Sequence, residues 1–339
     1  MKRIIIVYNP RSSRYADVRS EVLDKIHEQK GIIVGKYEVA PTNLDDNISK
    51  LSKLLKDDDL VISAGGDATG IIASNAILTT DKDVTLAVLP YGNFNDLSRT
   101  LGTKTLEDVF YADGGQNSFL EGISERGSAR ISAGRPWRRA GRTRPEKKGS
   151  DLPHKYYPLK IYVDGKFFRY ATCYVTIGMT AEAVQIYDSP KMRAKLKKGF
   201  GRKISSYTNL AGWYFKNRHK HVFIPEFSLN GKPQHLKTTD YAAVNGRSMA
   251  RVMKGGDDYR DSKFFRHETD RLASFYRLTK LMLRSVLSRI PGEKTSGDVL
   301  EFKSPSTVTL QAEGESIKLE NIKRIEIRKS AKCLKVIEN

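Results

Sequence analysis

Three short segments carry the glycine, asparagine, serine and aspartate residues whose types suit phosphate chemistry. Ser63-Ala64-Gly65-Gly66-Asp67-Ala68-Thr69 follows the apolar run Leu60-Val61-Ile62. Glycines at such a point let backbone N–H groups approach phosphate oxygens, and a helix starting there adds a favourable field for an anion. Asp67 would repel phosphate and better suits a magnesium ion, often through water, or a substrate hydroxyl. The competing reading is a tight turn in which Asp67 caps the helix. Pro90-Tyr91-Gly92-Asn93-Phe94-Asn95-Asp96 follows the next apolar run. Asn93 and Asn95 offer amide donors to phosphate or ribose, and Asp96 is either catalytic or a helix N-cap. Asn9-Pro10-Arg11-Ser12-Ser13 offers hydroxyls and a guanidinium that could face phosphate, or it closes a strand in an ordinary turn.

The elements that must position these segments are legible in the apolar pattern. Ile4 to Val7 is a continuous apolar run, as for a strand buried on both faces of a parallel sheet. Val18, Val22 and Ile26 recur at four-residue spacing, and Ile48, Leu51, Leu54 and Leu55 share one helix face. Further strands are expected at Ile32 to Val39, Leu60 to Ile62 and Leu86 to Leu89. Strands alternating with helices predict a doubly wound α/β domain, in which ligands bind at the carboxyl ends of strands. That is where all three segments lie.

Beyond residue 121 the pattern changes. Residues 122–153 crowd arginine and lysine, from Arg126 to Lys148, among glycine, serine and proline, and read as a loop or linker. From residue 154 onward the chain reads mostly as strands: Leu159 to Val163, Phe167 to Ile177, His221 to Leu229, Tyr241 to Val244, Val299 to Phe302, Thr307 to Gln311 and Ile322 to Ile327. Asp164-Gly165 and Asn230-Gly231 are hairpin-turn signals. A helix is expected at Leu272 to Leu287. The expected organisation is an N-terminal doubly wound α/β domain over 1–121, a basic linker or insertion over 122–153, and a C-terminal β-sandwich over 154–339. The last strands are candidates to pack back on the first domain.

Bulk properties narrow the partners. The formal net charge of +20 attracts polyanions, whether nucleic acid, anionic membrane or nucleotide. Cys173 and Cys333 stand far apart in apolar stretches and read as buried free thiols, and the six histidines show no metal-ligand spacing. The apolar run at the N-terminus is too short for a signal peptide, and no window approaches the roughly 20 apolar residues of a membrane span. The expectation is a cytoplasmic protein that meets a membrane only from its inner surface. Two basic segments suit that contact: Arg135-Pro136-Trp137-Arg138-Arg139, and Lys191 to Lys203 with Met192 and Phe200 interleaved. Both read equally as solvated loops. Nucleic acid is disfavoured, since no zinc spacing, RNA-binding aromatic motif or helix-turn-helix is found. Oligomeric state is open, a homodimer included.

Asn9-Pro-x-Ser12, Gly65-Gly66-Asp67-x-Thr69 and Pro90-x-Gly92-x-x-Asn95-Asp96, in this order, resemble the diacylglycerol kinase catalytic family, whose usual forms are NPxSG, GGDGT and PxGTxND. The likeness continues in Ile177-Gly178-Met179-Thr180-Ala181, Asn245-Gly246, Glu313-Gly314-Glu315 and the closing strand from Cys333. The resemblance implies ATP in a cleft between the two domains and phosphoryl transfer to a lipid alcohol such as diacylglycerol. It implies an ATP site of Asn9, Ser12, Thr42, Gly65, Gly66, Asp67, Thr69, Asn93 and Asn95. It implies Glu315 as proton acceptor with Glu313 beside it, and Asp261 as the aspartate of a structural Mg2+ site. Physically, a lipid hydroxyl is a poor nucleophile, and a carboxylate within reach can take its proton as the bond to phosphorus forms. Solvated hairpin residues are the competing reading of the two glutamates.

Several residues depart from the family pattern. Ala68 stands where the family has glycine; were φ > 0 required there, alanine would cost about 1 kcal/mol. Asn93 replaces threonine, Ile71-Ile72 replace a polar pair, and Glu313 replaces aspartate. Two other functions are weighed: a NAD kinase-like enzyme, which also uses GGDG, and a catalytically decayed member that binds anionic membrane or nucleic acid.

Overall fold

The computed structural model describes residues 3–12, 14–27, 32–41, 43–92, 95–101, 105–112, 153–187, 212–213, 216, 226–229, 232–235, 240–249, 253–254, 263–267, 293–296, 299–313 and 315–337. Thr42, Asn93, Asp261, nearly all of the basic linker, the Lys191–Lys203 cluster, the Asn230-Gly231 turn and the expected helix at 272–287 lie outside the described residues.

The N-terminal half alternates as expected. It runs β1 (Arg3–Tyr8), α1 (Tyr15–Val18), a π-helical turn (Arg19–Leu23), α2 (Asp24–His27), β2 (Ile33–Glu38), α3 (Leu44–Leu54), β3 (Leu60–Gly65), α4 (Asp67–Leu78), β4 (Thr85–Pro90), α5 (Asp96–Leu101) and α6 (Leu106–Ala112). The π-turn has a cause in the sequence. Apolar residues every four positions drift about 40° per step off one face of a 3.6-residue helix. A wider turn keeps Val18, Val22 and Ile26 all buried against the sheet.

The remaining strands are β5 (His154–Tyr156), β6 (Leu159–Val163), β7 (Lys166–Ala171), β8 (Tyr174–Gly178), then α7 (Met179–Tyr187), β9 (Glu226–Leu229), β10 (Lys232–His235), β11 (Asp240–Val244), β12 (Ser248–Met249), β13 (Met253–Lys254), β14 (Lys263–His267), β15 (Glu293–Ser296), β16 (Val299–Ala312), β17 (Glu315–Lys329) and β18 (Leu334–Val336). The first sheet has the order β2-β1-β3-β4-β18-β5. Its pairs are parallel except β18 with β5. The closing strand and β5 therefore complete the α/β sheet, while the strands between them, apart from the β12–β13 pair, build a ten-stranded antiparallel sheet, β15-β14-β11-β8-β16-β17-β6-β7, with β9 and β10 branching from β16.

Alternate residues of β1, β3 and β4 face opposite ways. Ile4, Ile6, Leu60, Ile62, Ala87 and Leu89 pack against Val18, Val22, Ile26, Val109 and Phe110. Ile5, Val7, Val61, Leu86 and Val88 pack on the other side against Ile48, Leu51, Ile72, Leu97 and Leu101. This is the two-sided burial that the continuous apolar runs foretold. The second core also takes in Tyr156, Tyr170, Cys173, Tyr174 and Val244 from the later part of the chain, so the two sheets share it. Helix α4 lies in that shared core and is buried from Thr69 to Leu78. Ile71 and Ile72 are core residues there. A polar pair at these positions would need hydrogen-bond partners within the core.

The structure corrects three expectations. The strand read over Phe167 to Ile177 is two strands, β7 and β8, broken at Thr172-Cys173, where the chain leaves its pairing with β6 for pairing with β11 and β16. The two strands read over Val299 to Gln311 are one, β16, with irregular register between Lys303 and Val308 around Pro305, which has no N–H for the ladder. Cys333 is only half-buried, whereas Cys173 is buried. The β6–β7 turn is as expected, with Asp164 at φ 49° and Gly165 at φ 79°.

Candidate active site

The glycines of the first two turns meet each other. A methyl group on Gly92 would lie 2.3 Å from the Gly66 Cα, and one on Gly65 would lie 2.4 Å from the Thr69 hydroxyl. The turns after β3 and β4 are thus in backbone contact, and the Tyr91 N–H donates to the Gly65 carbonyl at 3.0 Å. Gly66 is extended, at φ −88° and ψ −173°, and serves as N-cap of α4 with no side-chain cap hydrogen bond. The first N–H groups of a twelve-residue helix are left there for an anion or solvent. Ala68 sits on the exposed side of the first turn of α4 and is not among the residues with φ > 0. Alanine costs nothing at this position.

Asp67 does not cap its own helix. Its Oδ1 accepts from the Leu97 N–H at 3.1 Å, so it caps the first turn of α5 and ties the two turns together. Asn95 has φ 56°. Its Oδ1 accepts from the Gly92 N–H at 2.7 Å, and its Nδ2 donates to the Gly92 and Pro90 carbonyls at 2.9 and 3.3 Å. Its amide folds the loop back on itself. Asp96 is the first residue of α5, 3% exposed, and pairs with Arg99 at 2.6 Å. Asn9 accepts from the Arg11 N–H at 3.0 Å, and the Ser12 hydroxyl lies 3.5 Å from the Tyr91 carbonyl. The turn after β1 therefore packs on the turn after β4. Arg14 reinforces this by donating to the Pro90 carbonyl at 3.0 Å and stacking on Tyr91 at 5.3 Å.

Across from these turns lies the hairpin joining β16 and β17. Asp67, Asp96, Leu97, Cys173, Tyr174 and Glu313 line one small cleft. Glu313 is 6% exposed and holds φ 53°, a conformation that a non-glycine residue adopts only when its surroundings enforce it. Its Oε1 accepts from the Cys173 N–H, and its Oε2 is buried without a partner. Burial, with Asp67 adding like charge, pushes its carboxyl up to about 8, against the Cys173 hydrogen bond. Burial also raises Asp67, opposed chiefly by the Leu97 N–H. Both Cys173 and Tyr174 are pushed well up by burial.

Glu315 is placed differently. It pairs with Arg169, whose buried guanidinium also reaches Asp45 of α3 at 3.3 Å. Arg169 thereby joins the two sheets' regions, and its Nε is buried without a partner. The structure brings Gly65, Gly66, Asp67, Thr69, Asn95, Asn9 and Ser12 into one set of contacting turns, with Glu313 across the cleft and Glu315 on its own ion pair. Sequence reasoning passed over Asn75, Arg169 and the wider role of Asn245. Asn75 exchanges hydrogen bonds with the Tyr170 backbone, accepting at 3.0 Å and donating at 3.2 Å, from the middle of α4. An asparagine inside an otherwise apolar helix was the available signal.

Among the described residues no three His, Cys, Asp or Glu side chains form a preformed metal cage. Magnesium needs no such cage. It commonly takes one or two carboxylates together with substrate phosphates and water. The unpartnered Glu313 oxygen and Asp67, on one cleft, fit that requirement.

Two packed sheets, one parallel with strand-end glycine turns and one antiparallel supplying a carboxyl, define a two-part α/β plus β fold. Residues 3–115 match the family described as diacylglycerol kinase catalytic domain. A diacylglycerol kinase of Bacillus subtilis (strain 168) is 35% identical over 114 residues, covering 33% of this chain and 37% of that protein. One from Staphylococcus carnosus (strain TM300) is 33% identical over 106 residues, covering 31% of this chain and 34% of that protein. The matched segment thus spans about a third of the length of these curated relatives. The crystal structure of a diacylglycerol kinase from Bacillus anthracis str. Sterne superposes with a TM-score of 0.56, at 12% identity, over 100% of this chain and 97% of that one. At that identity the likeness shows the fold.

Proposed function

We propose that the protein is an ATP-dependent lipid kinase that transfers the γ-phosphoryl group to the hydroxyl of a membrane lipid such as diacylglycerol. The observation that carries this reading is the cleft: Asp67 and Asp96, from the carboxyl ends of β3 and β4, face Glu313 of the antiparallel domain across one small space. In this reading the glycine turns and the uncapped start of α4 cradle phosphates. Asp67 and Glu313 would hold a magnesium ion, which would neutralise the phosphate charge. Asn9, Ser12, Thr69 and Asn95 shape the cradle; the roles of Thr42 and Asn93 in ATP binding and of Asp261 toward magnesium rest on the family resemblance alone. The two glutamates divide the work. Glu313, buried and facing Asp67, would serve the magnesium ion, and Glu315, ion-paired with Arg169, is the carboxylate assigned to accept the hydroxyl's proton.

Against the reading of a decayed site stands the unstrained Ala68; the Ile71-Ile72 departure, in the core, bears on it only through activity. A NAD kinase-like acceptor differs only in what is phosphorylated. No helix among the described residues is long and apolar enough to cross a membrane. Peripheral contact with an anionic inner surface, through the basic segments around 126–148 and 191–203, belongs to the same proposal. The test is an acceptor panel. The protein is incubated with ATP and magnesium against a lipid extract, diacylglycerol, a sphingoid base, undecaprenol and NAD, and products are read by mass. A phosphorylated lipid alcohol is expected. Phosphorylation of NAD alone would replace the lipid reading by the small-molecule one.

A further inference from the structure

Asn245 and Gly246 take no part in the chemistry above, yet both walls of the cleft are fastened to them. Asn245 is fully buried. Its N–H donates to the Cys173 carbonyl at 2.7 Å. Its Nδ2 lies 2.9 Å from the carbonyls of both Thr172 and Tyr157 and 3.1 Å from the Tyr156 hydroxyl. That hydroxyl donates in turn to the Thr172 carbonyl at 2.9 Å. The break between β7 and β8 is thus tied to β5 of the first sheet. On the other side of the same residue, the Cys173 N–H donates to the Glu313 carboxyl, and the Glu313 N–H donates to the Tyr174 carbonyl at 3.3 Å.

Gly246 fixes the opposite wall. A methyl group there would lie 2.7 Å from the Thr100 Oγ1 and 3.0 Å from the Cys173 Cβ. The Arg247 N–H donates to that same Thr100 hydroxyl at 3.2 Å. Thr100 belongs to α5, whose first turn brings Asp96 and Leu97 to the cleft.

We propose that Asn245-Gly246 is a positioning element that sets the gap across the cleft, holding Glu313 through the Cys173 backbone and α5 through Thr100. The assignment rests on the kinase reading for its consequence, since a displacement of about 1 Å in a reacting group can lower a rate about a hundredfold. Asn245 and Gly246 make no direct contact with the glycines of the phosphate cradle, Gly65, Gly66 and Gly92.

The test uses Gly246→Ala, in which Thr100 and Cys173 must shift by tenths of an ångström, and Asn245→Asp, which replaces donors by an acceptor facing carbonyls. Gly246→Ala is the variant that decides if Asn245→Asp fails to fold. Three quantities are read: ATP affinity by calorimetry, kcat with the lipid acceptor, and the rate at which a disulfide reagent modifies Cys173 in a Cys333→Ser background. Buried, Cys173 is expected to be silent in the parent. Gly246→Ala should keep ATP affinity within twofold, lower kcat at least tenfold and raise Cys173 reactivity at least tenfold at an unchanged urea midpoint. A kcat within twofold of the parent would overturn the proposal. So would parallel losses of ATP affinity, kcat and stability, which mark a merely structural role. If the parent phosphorylates no acceptor, the kinase reading fails by itself, and thiol reactivity at fixed midpoint still decides whether these residues hold Cys173.

Discussion

Replacing Glu313 by glutamine should change how stability depends on pH. The Glu313 carboxyl is buried, one of its oxygens lacks a partner, and Asp67 faces it across the cleft. Its pKa is about 8 in the folded protein against an ordinary 4.5. Between those values the folded state keeps a proton that the unfolded chain releases, so stability falls as pH rises. The slope approaches about 1.4 kcal/mol per pH unit, and the whole interval gives a ceiling of about 5 kcal/mol. Solvent penetration and relaxation around the charged form bring the realised value below that ceiling. Glutamine keeps the shape and cannot ionise. The assay is urea denaturation at pH 5, 7 and 9 in the presence of a chelator. Groups other than Glu313 titrate in both proteins, so the difference between the curves isolates it. The parent should lose several kcal/mol relative to Glu313→Gln between pH 5 and 9. Parallel curves would refute the buried, proton-holding carboxyl.

Other variants separate the parts of the site. Gly92→Ala forces the backbones of the two glycine turns apart and should weaken ATP binding at least tenfold by calorimetry, with little loss of secondary structure by circular dichroism. Ala68→Gly restores the family residue inside a helix, so it should lower stability by about 0.5–1 kcal/mol in urea titration without raising activity. Arg169→Gln leaves Glu315 and Asp45 without their shared cation. Because both carboxylates are partly exposed, the expected loss is about 1–3 kcal/mol in urea titration. The same variant should lower kcat more than it weakens ATP binding.

The first sheet was legible because each strand buried on both faces leaves an uninterrupted apolar run, as at Ile4 to Val7, and each glycine turn follows such a run. The β domain was less so. Nothing local in Phe167 to Ile177 marks the break at Thr172-Cys173, which is set by a change of pairing partner far along the chain. The glycines were read as room for phosphate, and in the structure Gly66 and Gly92 also make room for each other. Asp67 was read as a possible cap of its own helix, but it caps α5. That contact spans thirty positions of sequence, and no spacing rule encodes it. That Ile71 and Ile72 are core residues could not be seen from the sequence, because the sheet packed on the far side of α4 is distant along the chain. Arg169 reads as one more basic residue in a chain of +20, and its role appears only with Asp45 and Glu315 around it.

The most direct measurement is transfer of label from γ-labelled ATP to diacylglycerol in mixed micelles with magnesium, comparing the parent with Asp67→Asn. The account predicts a labelled lipid with the parent and at least a hundredfold loss with the variant, at unchanged thermal midpoint. Equal labelling by both proteins would contradict the placing of phosphoryl transfer at this cleft.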